Sequence, residues 1–464
     1  AQCLVGSEMC IRDRYNNILK ITNVFQKLNG FSEVIMEKYQ NELLKDTLEL
    51  LSFDGEEGKP LPGAPFGEGN RQCLDWFLSK AESFGFQTKN LDGYCGVADI
   101  GEGEAFGILG HLDTVPVGDG WTHNPYGEIS GDVIYGRGVV DDRGPMLACL
   151  YAVKSLLDEG LIPKKRIRFI IGCNEETGWR CIKHFNTVEK MPDTGFSPDA
   201  DFPVINCEKG IATITFEKNY SGNVEISGGT RPNVVPNVCT ARIPDTADNL
   251  TIIEKSGLEY EIKDGRIVVT AHGKAAHAAT PALGDNAIVK LLKALSDIDV
   301  DLKKIYNAFD TYDGKGAGLD LRDDVSGALT VNLGIISSHE KLKFTINIRY
   351  PVTVKKSTLI DILDKCLYDF TIAESEFQEP LYVDKNDVLV KTLLSTYNDV
   401  MGTNLDAISI GGGTYARALK HGVAFGPEFP GVESTIHMPD ERTPISTYMN
   451  VFKIYREAIR RLCF

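Results

Sequence analysis

The chain has 464 residues, 42% of them hydrophobic and 25% charged, with a formal net charge of −16 at pH 7. Those proportions are ordinary for globular proteins, and the length exceeds one ordinary core, predicting two or three domains. The acidic balance argues against nucleic-acid or anionic-membrane partners, which favour basic surfaces, and no run of about 20 apolar residues offers a membrane span.

The eleven cysteines are scattered, odd in number and without a Cys-x-x-Cys pair. Several, including Cys149 and Cys173, sit in apolar runs. This usage predicts buried, reduced thiols in a cytoplasmic protein. The chain start lacks the charged-then-apolar pattern of a secretory signal. Glu8-Met-Cys-Ile-Arg-Asp-Arg14 resembles the translation of a transposon mosaic-end sequencing adapter. Ala1–Arg14 is therefore expected to be a non-native tail and is set aside.

From Tyr15 to about Phe53 apolar residues recur at helical spacing, first Ile18, Ile21, Val24 and Phe25, then Leu43, Leu44, Leu48 and Leu51. Gly30 divides the stretch into two predicted helices. Glu56–Asn70, rich in Gly and Pro, predicts a loop. A helix is expected over Arg71–Phe84, ending at Gly85. Short strands follow within Gln87–Asp99, then a buried strand at Ala105–Leu109 leading into His111. Gly144–Glu159 predicts a helix, Arg166–Gly172 a buried strand, Trp179–Val188 a helix and Pro203–Ile205 a short strand. Strand and helix alternating in this way predict an α/β sheet with its site at the strand ends.

The character changes near Ile211. Ala212–Phe216, Val224–Ile226, Cys239–Ile243 and Arg266–Ala271 alternate or run β-branched, with turns between them. A helix at Asn286–Leu295, strands at Ala328–Ile336 and Lys341–Tyr350, and a helix at Thr358–Phe370 complete a predicted α+β domain. Helical spacing returns near Asp384. The expected plan is a discontinuous catalytic domain over 15–212 and 384–464, with a mixed sheet flanked by helices, interrupted by an α+β lid over 213–383.

Ionisable side chains gather directly after the apolar runs, where buried strands would deliver them to a sheet end. His111 and Asp113, two apart on an extended segment, share a face. One could bind metal while the other orients it, although a surface histidine and a helix-capping aspartate fit the pair as well. Asp141-Asp142, between Gly138 and Gly144, suits either a helix N-cap or a carboxylate bridging two cations. Glu175-Glu176 follows an apolar strand, and adjacent side chains diverge there. One could hold metal while the other serves as base to a metal-bound water, or both could be solvated. Asp199, His437, Asn233 and Arg349 carry no signal alone, and His277 among alanines suits simple packing. Gly411-Gly412-Gly413-Thr414 is a permissive loop without the Gly-Lys-[Ser/Thr] of a phosphate loop.

Taken together, these fragments resemble the PepV-type dipeptidases of the di-zinc aminoacylase/carboxypeptidase G metallopeptidase family. The resemblance rests on Gly-His111-Leu-Asp113-Thr-Val-Pro, Tyr-Gly-Arg-Gly-Val-Val-Asp141-Asp142-Arg-Gly-Pro, Asn-Glu175-Glu176-Thr and Ser-Pro-Asp199-Ala. It continues in Asn233-Val-Val-Pro, Ala-His277-Ala, Asn-Ile-Arg349-Tyr-Pro, Gly-Gly-Gly-Thr-Tyr-Ala-Arg417 and Ile-His437-Met, in order from about residue 37 to the C-terminus.

The resemblance implies two Zn²⁺ per chain, with Mn²⁺ or Co²⁺ as possible substitutes. Asp141 would bridge them, His111 and Asp199 completing one site and Glu176 and His437 the other. Asp113 would orient His111. Glu175 would take a proton from the water between the ions and later pass it to the leaving amine. His277 and Asn233 would meet the developing oxyanion and Arg349 the substrate carboxylate. Gly412, Gly413 and Thr414 would line the pocket, with Arg417 helping to bind the peptide. The implied protein is a monomeric, cytoplasmic dipeptidase acting on short peptides with a free C-terminal carboxylate. An N-acyl amino acid amidohydrolase would use the same ligands, and an inactive metal- or peptide-binding homologue is the third reading.

Overall fold

The structure, a computed structural model, describes residues 38–464. The expectations for the tail and for the helix before Gly30 lie outside the described residues. The described chain divides into two compact units. The first runs through Pro192 and regains Asp399–Met401 and Gly426–Phe464, and the second comprises Asp193–Asn398 and Gly402–Phe425.

The first unit opens with helix α1 (38–51), followed by α2 (Glu68–Ser83), β1 (Gln87–Leu91), β2 (Cys95–Ile100) and β3 (Ala105–His111). Two short strands, β4 (Glu128–Ser130) and β5 (Val133–Tyr135), precede α3 (Arg143–Asp158), β6 (Arg166–Gly172) and α4 (Arg180–Val188). The strand order is β1-β2-β6-β3. β1 and β2, and β2 and β6, are antiparallel, whereas β6 and β3 are parallel. The sheet is therefore mixed and flanked by helices, α2 on β1 and β2 and α3 on β3, as the alternating pattern predicts.

β3 and the second half of β6 are apolar without alternation because both faces are covered, and all but the first residue of each strand is buried. Their parallel register sets His111 opposite Gly172. What leaves one strand thus emerges beside what leaves the other. α3 is buried almost all round, from Arg143 through Val153, because the C-terminal helix Ile445–Cys463 packs on its other side. β5 also pairs with Arg442–Pro444, Tyr135 opposite Arg442, which ties the segment before Arg442 to the one after Tyr135.

The second unit holds a small mixed group of strands and a large antiparallel sheet. In the former, Thr194–Ser197 runs parallel to His421–Ala424, and Ile205–Glu208 takes Leu381–Tyr382 antiparallel and Ile408–Ile410 parallel. The latter has eight strands from Glu259–Lys263 at one edge to Thr371–Gln378 at the other. Gly210–Asn219 within it alternates buried and part-exposed residues, the period-2 signature of a sheet with one covered face. Ile214, Phe216, Val269, Phe344 and Ile346 share a core with Leu291 and Leu292 of helix Ala287–Leu295 and with Leu302, Ile305 and Phe309 of helix Val300–Phe309.

Sequence reading missed this last helix, together with Ala247–Ser256 and both edge strands. The edge strands have too few buried residues to show a pattern: every residue of Glu259–Lys263 is exposed. The predicted strand at Pro203–Ile205 instead runs Ile205–Glu208.

Candidate active site

His111 ends β3 and is fully buried. Gly110 before it is required, because a Cβ there would lie 2.1 Å from Asp142 Oδ2 and 2.4 Å from Met146 Sδ. That gap lets the start of α3 close against the strand end. Asp142 occupies the N-cap position of α3 but makes no side-chain capping bond. Its Oδ2 accepts from the His111 amide at 3.1 Å, so the pair Asp141-Asp142 is more than a helix cap. The peptide between the two aspartates is cis.

Asp141 faces two histidines at once. Oδ1 lies 3.0 Å from His111 Nε2 and Oδ2 2.9 Å from His437 Nε2. His437 Nε2 is also 3.0 Å from Glu176 Oε1. His437 adopts φ 63°, a left-handed conformation uncommon for residues other than glycine but one that histidine enters more readily than most. Donor atoms of His111, Asp141 and Glu176 all lie within 4.8 Å of one another. Donors this close together converge on one small space, as ligands of a shared cation must. Imidazole and carboxylate donors suit Zn²⁺ and its first-row neighbours. The residues present therefore fit a metal centre.

Asp113 divides its bonds. Its main-chain carbonyl lies 3.0 Å from His111 Nδ1, and its carboxylate stands 3.5 Å from the same nitrogen. The shorter carboxylate bonds go to the amides of Glu175, 3.0 Å to Oδ1, and Glu176, 3.1 Å to Oδ2. No helix follows, so Asp113 is not a helix cap. It clamps the turn that carries both glutamates to the end of β3.

The electrostatics reflect crowding of acids. Burial raises Glu175 to about 8; the His111 charge opposes the shift, and Glu176, Asp141 and Asp113 add repulsion to it. Burial also holds Asp142 well above the carboxylate range. Burial would raise Asp141 too, but the hydrogen bonds and charges of His111 and His437 hold it below its ordinary value. For His437, desolvation favours the neutral ring, yet Asp141 and Glu176 lift it to about 10. A cluster this acidic holds protons where cations would serve.

Sequence reading passed over a residue that ties the cluster together. Glu441, fully buried, accepts at Oε1 from the amides of Gly138 (3.1 Å), Val140 (3.0 Å) and Asp141 (3.3 Å). Its Oε2 pairs with Arg137 Nη1 at 2.8 Å. Burial and the nearby Asp141 charge raise its carboxyl to about 7 against these donors. Four residues after His437, Glu441 joins the His437 segment to the loop carrying Asp141. Nothing in the local sequence marks it beyond one acid in a polar turn. Glu441→Ala would strand Arg137 and three amides, and is expected to cost about 3–5 kcal/mol, read as a lower denaturation midpoint together with lower metal content.

The second unit arranges the remaining candidates. Asp199 follows the strand Thr194–Ser197. Val234 pairs with His277 in an isolated bridge, and the Ala278 amide donates to Asn233 O at 2.9 Å, so Asn233 and His277 are neighbours. Both are exposed, which removes the packed-histidine reading. The Ala279 amide donates to His277 Nδ1 at 3.3 Å, leaving the neutral ring its proton on Nε2. Arg349 is buried, donating from Nε to Asn347 Oδ1 at 2.9 Å and from Nη1 to Gly411 O at 2.8 Å. No carboxylate pairs with it among the described residues, and burial beside Arg417 lowers it to about 10. A Cβ on Gly411 would touch Ala279 at 3.0 Å, so Arg349, Gly411 and the His277 segment are contiguous. Gly412 and Gly413 continue the loop.

Thr414 and Arg417 both bond a buried acid, Glu208. Thr414 Oγ1 and N bond Glu208 at 2.8 and 3.2 Å, and Arg417 Nε reaches Glu208 Oε2 at 2.6 Å. The Arg417 Nη atoms bond the carbonyls of Glu379, Lys209 and Gly412 at 2.6–2.9 Å. Glu208, another buried acid the sequence did not single out, thus anchors the glycine loop from below.

Residues 107–461 match the family described as "Peptidase family M20/M25/M40". "Putative dipeptidase YtjP" of Bacillus subtilis (strain 168) is 38% identical over 94% of this chain and 100% of its own length. A "Putative dipeptidase" of Staphylococcus epidermidis (strain ATCC 12228 / FDA PCI 1200) is 36% identical over 93% and 99%. Among solved structures, the M20 family metallo-carboxypeptidase Sso-CP2 from Sulfolobus solfataricus superposes with a TM-score of 0.55 at 19% identity, over 90% of this chain and 98% of that one.

Proposed function

This chain belongs to the peptidase family M20/M25/M40, and from that membership we propose that it is a di-zinc dipeptidase cleaving short peptides with a free C-terminal carboxylate. The observation that carries the reading is Asp141, one oxygen on His111 and the other on His437, with Glu175 on the adjoining turn. A carboxylate shared between two cations presents this arrangement. The dipeptidase names of the bacterial relatives support the substrate class, and the metallo-carboxypeptidase from Sulfolobus solfataricus agrees with metal use.

In this reading His111, Asp141, Glu176 and His437 hold the cations, with Asp199 as the fifth ligand. Cations there would polarise the scissile carbonyl and lower the pKa of water. Glu175 accepts the proton of the attacking water and returns it to the leaving amine. The Nε2–H of His277 and the amide of Asn233 are donors suited to a developing oxyanion. Arg349, buried without a carboxylate partner, offers a planar fork that a peptide C-terminus can fill. Arg417 and Thr414 act through Glu208 to hold the glycine loop. The enzyme is expected to be cytoplasmic and monomeric. Among the described residues no helix is long and apolar enough to cross a membrane.

The test is hydrolysis of a dipeptide panel beside dipeptide amides and N-acetyl amino acids, with Zn²⁺, with Mn²⁺ and with chelator. Cleavage of free dipeptides alone, lost with chelator, is the expected result. Cleavage of acylated amino acids instead would move the chain to the amidohydrolases. Equal cleavage of the amides would remove Arg349 from carboxylate recognition.

A further inference from the structure

Trp179 sits where a tryptophan is costly. It caps the N-terminus of α4 at φ 58° and ψ 25°, a left-handed conformation in which a bulky side chain is strained. Gly178 directly before it adopts φ 141°, where a glycine carries no side-chain penalty. The Trp179 amide donates to Asn174 O at 2.8 Å, closing the turn on itself, and the indole folds back over it. Its Nε1–H donates to Glu175 Oε1 at 3.0 Å. The Glu175 amide is meanwhile held by Asp113 Oδ1 at 3.0 Å. Both the backbone and one carboxylate oxygen of Glu175 are therefore fixed, and Oε2 makes no hydrogen bond among the described residues.

The foot of the turn is fixed as well. Asn174 Oδ1 accepts from Arg180 N and Nε, both at 3.1 Å. Glu57 accepts from Asn174 Nδ2 at 3.2 Å and Thr177 Oγ1 at 2.5 Å, and pairs with Arg180. The Arg180 guanidinium lies 4.8 Å over the Phe66 ring. These anchors hold the ends of the turn, while the Glu175 side chain has three rotatable bonds above them. Only Trp179 reaches across to its carboxylate among the described residues.

Resting on the dipeptidase reading above, we propose that Trp179 is a positioning residue for the reaction: its indole N–H holds Oε1 of Glu175 so that Oε2 is the oxygen that exchanges the proton. A base whose carboxylate swings between rotamers spends less time aligned with the attacking water, and misplacement of about 1 Å can cost about 10²-fold. The strained backbone persists because a residue at this position, and not its glycine neighbour, places the indole over Glu175.

Two variants and one resonance decide the matter. Trp179→Phe keeps the ring and removes the N–H. It is expected to lower kcat by about 10–100-fold, with KM within about twofold and metal content unchanged. Trp179→Gly relieves the left-handed backbone, so its denaturation midpoint should not fall although its kcat does. The chain has three tryptophans, hence three indole N–H resonances. The one deleted by Trp179→Phe should shift when Glu175 becomes Ala. Wild-type kcat in Trp179→Phe overturns the inference, as does an unmoved resonance. Should wild-type protein cleave no dipeptide, the dipeptidase reading fails, and the resonance still decides whether Trp179 holds Glu175.

Discussion

Glu175→Gln is expected to lower kcat by about 10²–10⁴-fold while leaving metal content, KM and the denaturation midpoint near wild type. The carboxylate contributes no bond to the proposed metal cluster: its partners are Trp179 Nε1 at Oε1 and, through its amide, Asp113. Glutamine preserves the shape, and its carbonyl oxygen still accepts from the indole. What disappears is an oxygen able to take a proton from water and give it to an amine. Burial and three neighbouring acids already favour the protonated form of Glu175, near 8. Cations beside it would oppose that repulsion and keep it ionised at neutral pH. The measurement is steady-state kinetics on the best dipeptide, alongside metal analysis of the same preparation. Glu175→Gln protein that turns over normally would remove Glu175 from the chemistry. Loss of metal along with activity would make it a ligand.

Asp141→Asn is expected to fail differently, losing bound metal and activity together. Each Asp141 oxygen faces its own imidazole, at 3.0 Å and 2.9 Å. An asparagine keeps one oxygen and replaces the other with an NH₂ that cannot bind a cation. The shared negative charge is lost as well. Metal should fall below half of the wild-type content, with kcat/KM down by at least about 10³-fold, since removal of a shared ligand disables both the polarising charge and the activated water. Stabilisation by added Zn²⁺, seen as a rise in denaturation midpoint of wild type, should shrink in the variant. Mass spectrometry under native conditions and a thermal scan with and without Zn²⁺ test this directly. Full metal content in Asp141→Asn would show that the cations sit elsewhere.

The two variants separate roles that lie within a few residues of one another. Glu441→Ala falls between them, because its carboxylate touches main chain and Arg137 but none of the side chains proposed to hold cations. Its metal loss should be partial and accompanied by lost stability, whereas Asp141→Asn affects metal first.

Much of the site could be read from local sequence because strand ends leave a local signature. An apolar run buried on both faces must be followed by what the sheet presents at its edge, so His111 after β3 and Glu175-Glu176 after β6 stood out. Parallel in-register pairing of those two strands then made them neighbours. The bland alternatives could not be dismissed at that level. A capping aspartate and one shared between two histidines look alike until His111 and His437 are seen on either side of Asp141. Glu441, Glu208 and Trp179 escaped notice because their partners are backbone amides, an arginine or a side chain reached by folding, and a lone acid or aromatic in a loop has no periodicity.

Residue order and apolar periodicity by themselves determined the α/β class, the mixed sheet, the strands that matter and the ionisable groups at their ends. These follow from interactions a few residues in range: helical and strand periodicity, glycine punctuation and burial of continuous runs. Tertiary structure alone decided how those groups divide their work. It set Asp113 on the amides of Glu175 and Glu176, turned Arg417 and Thr414 onto Glu208, and bound the Asp141 loop to Glu441. The reason is that a buried polar group must find partners wherever the fold brings them. Those partners lie far away along the chain, beyond the reach of any local pattern.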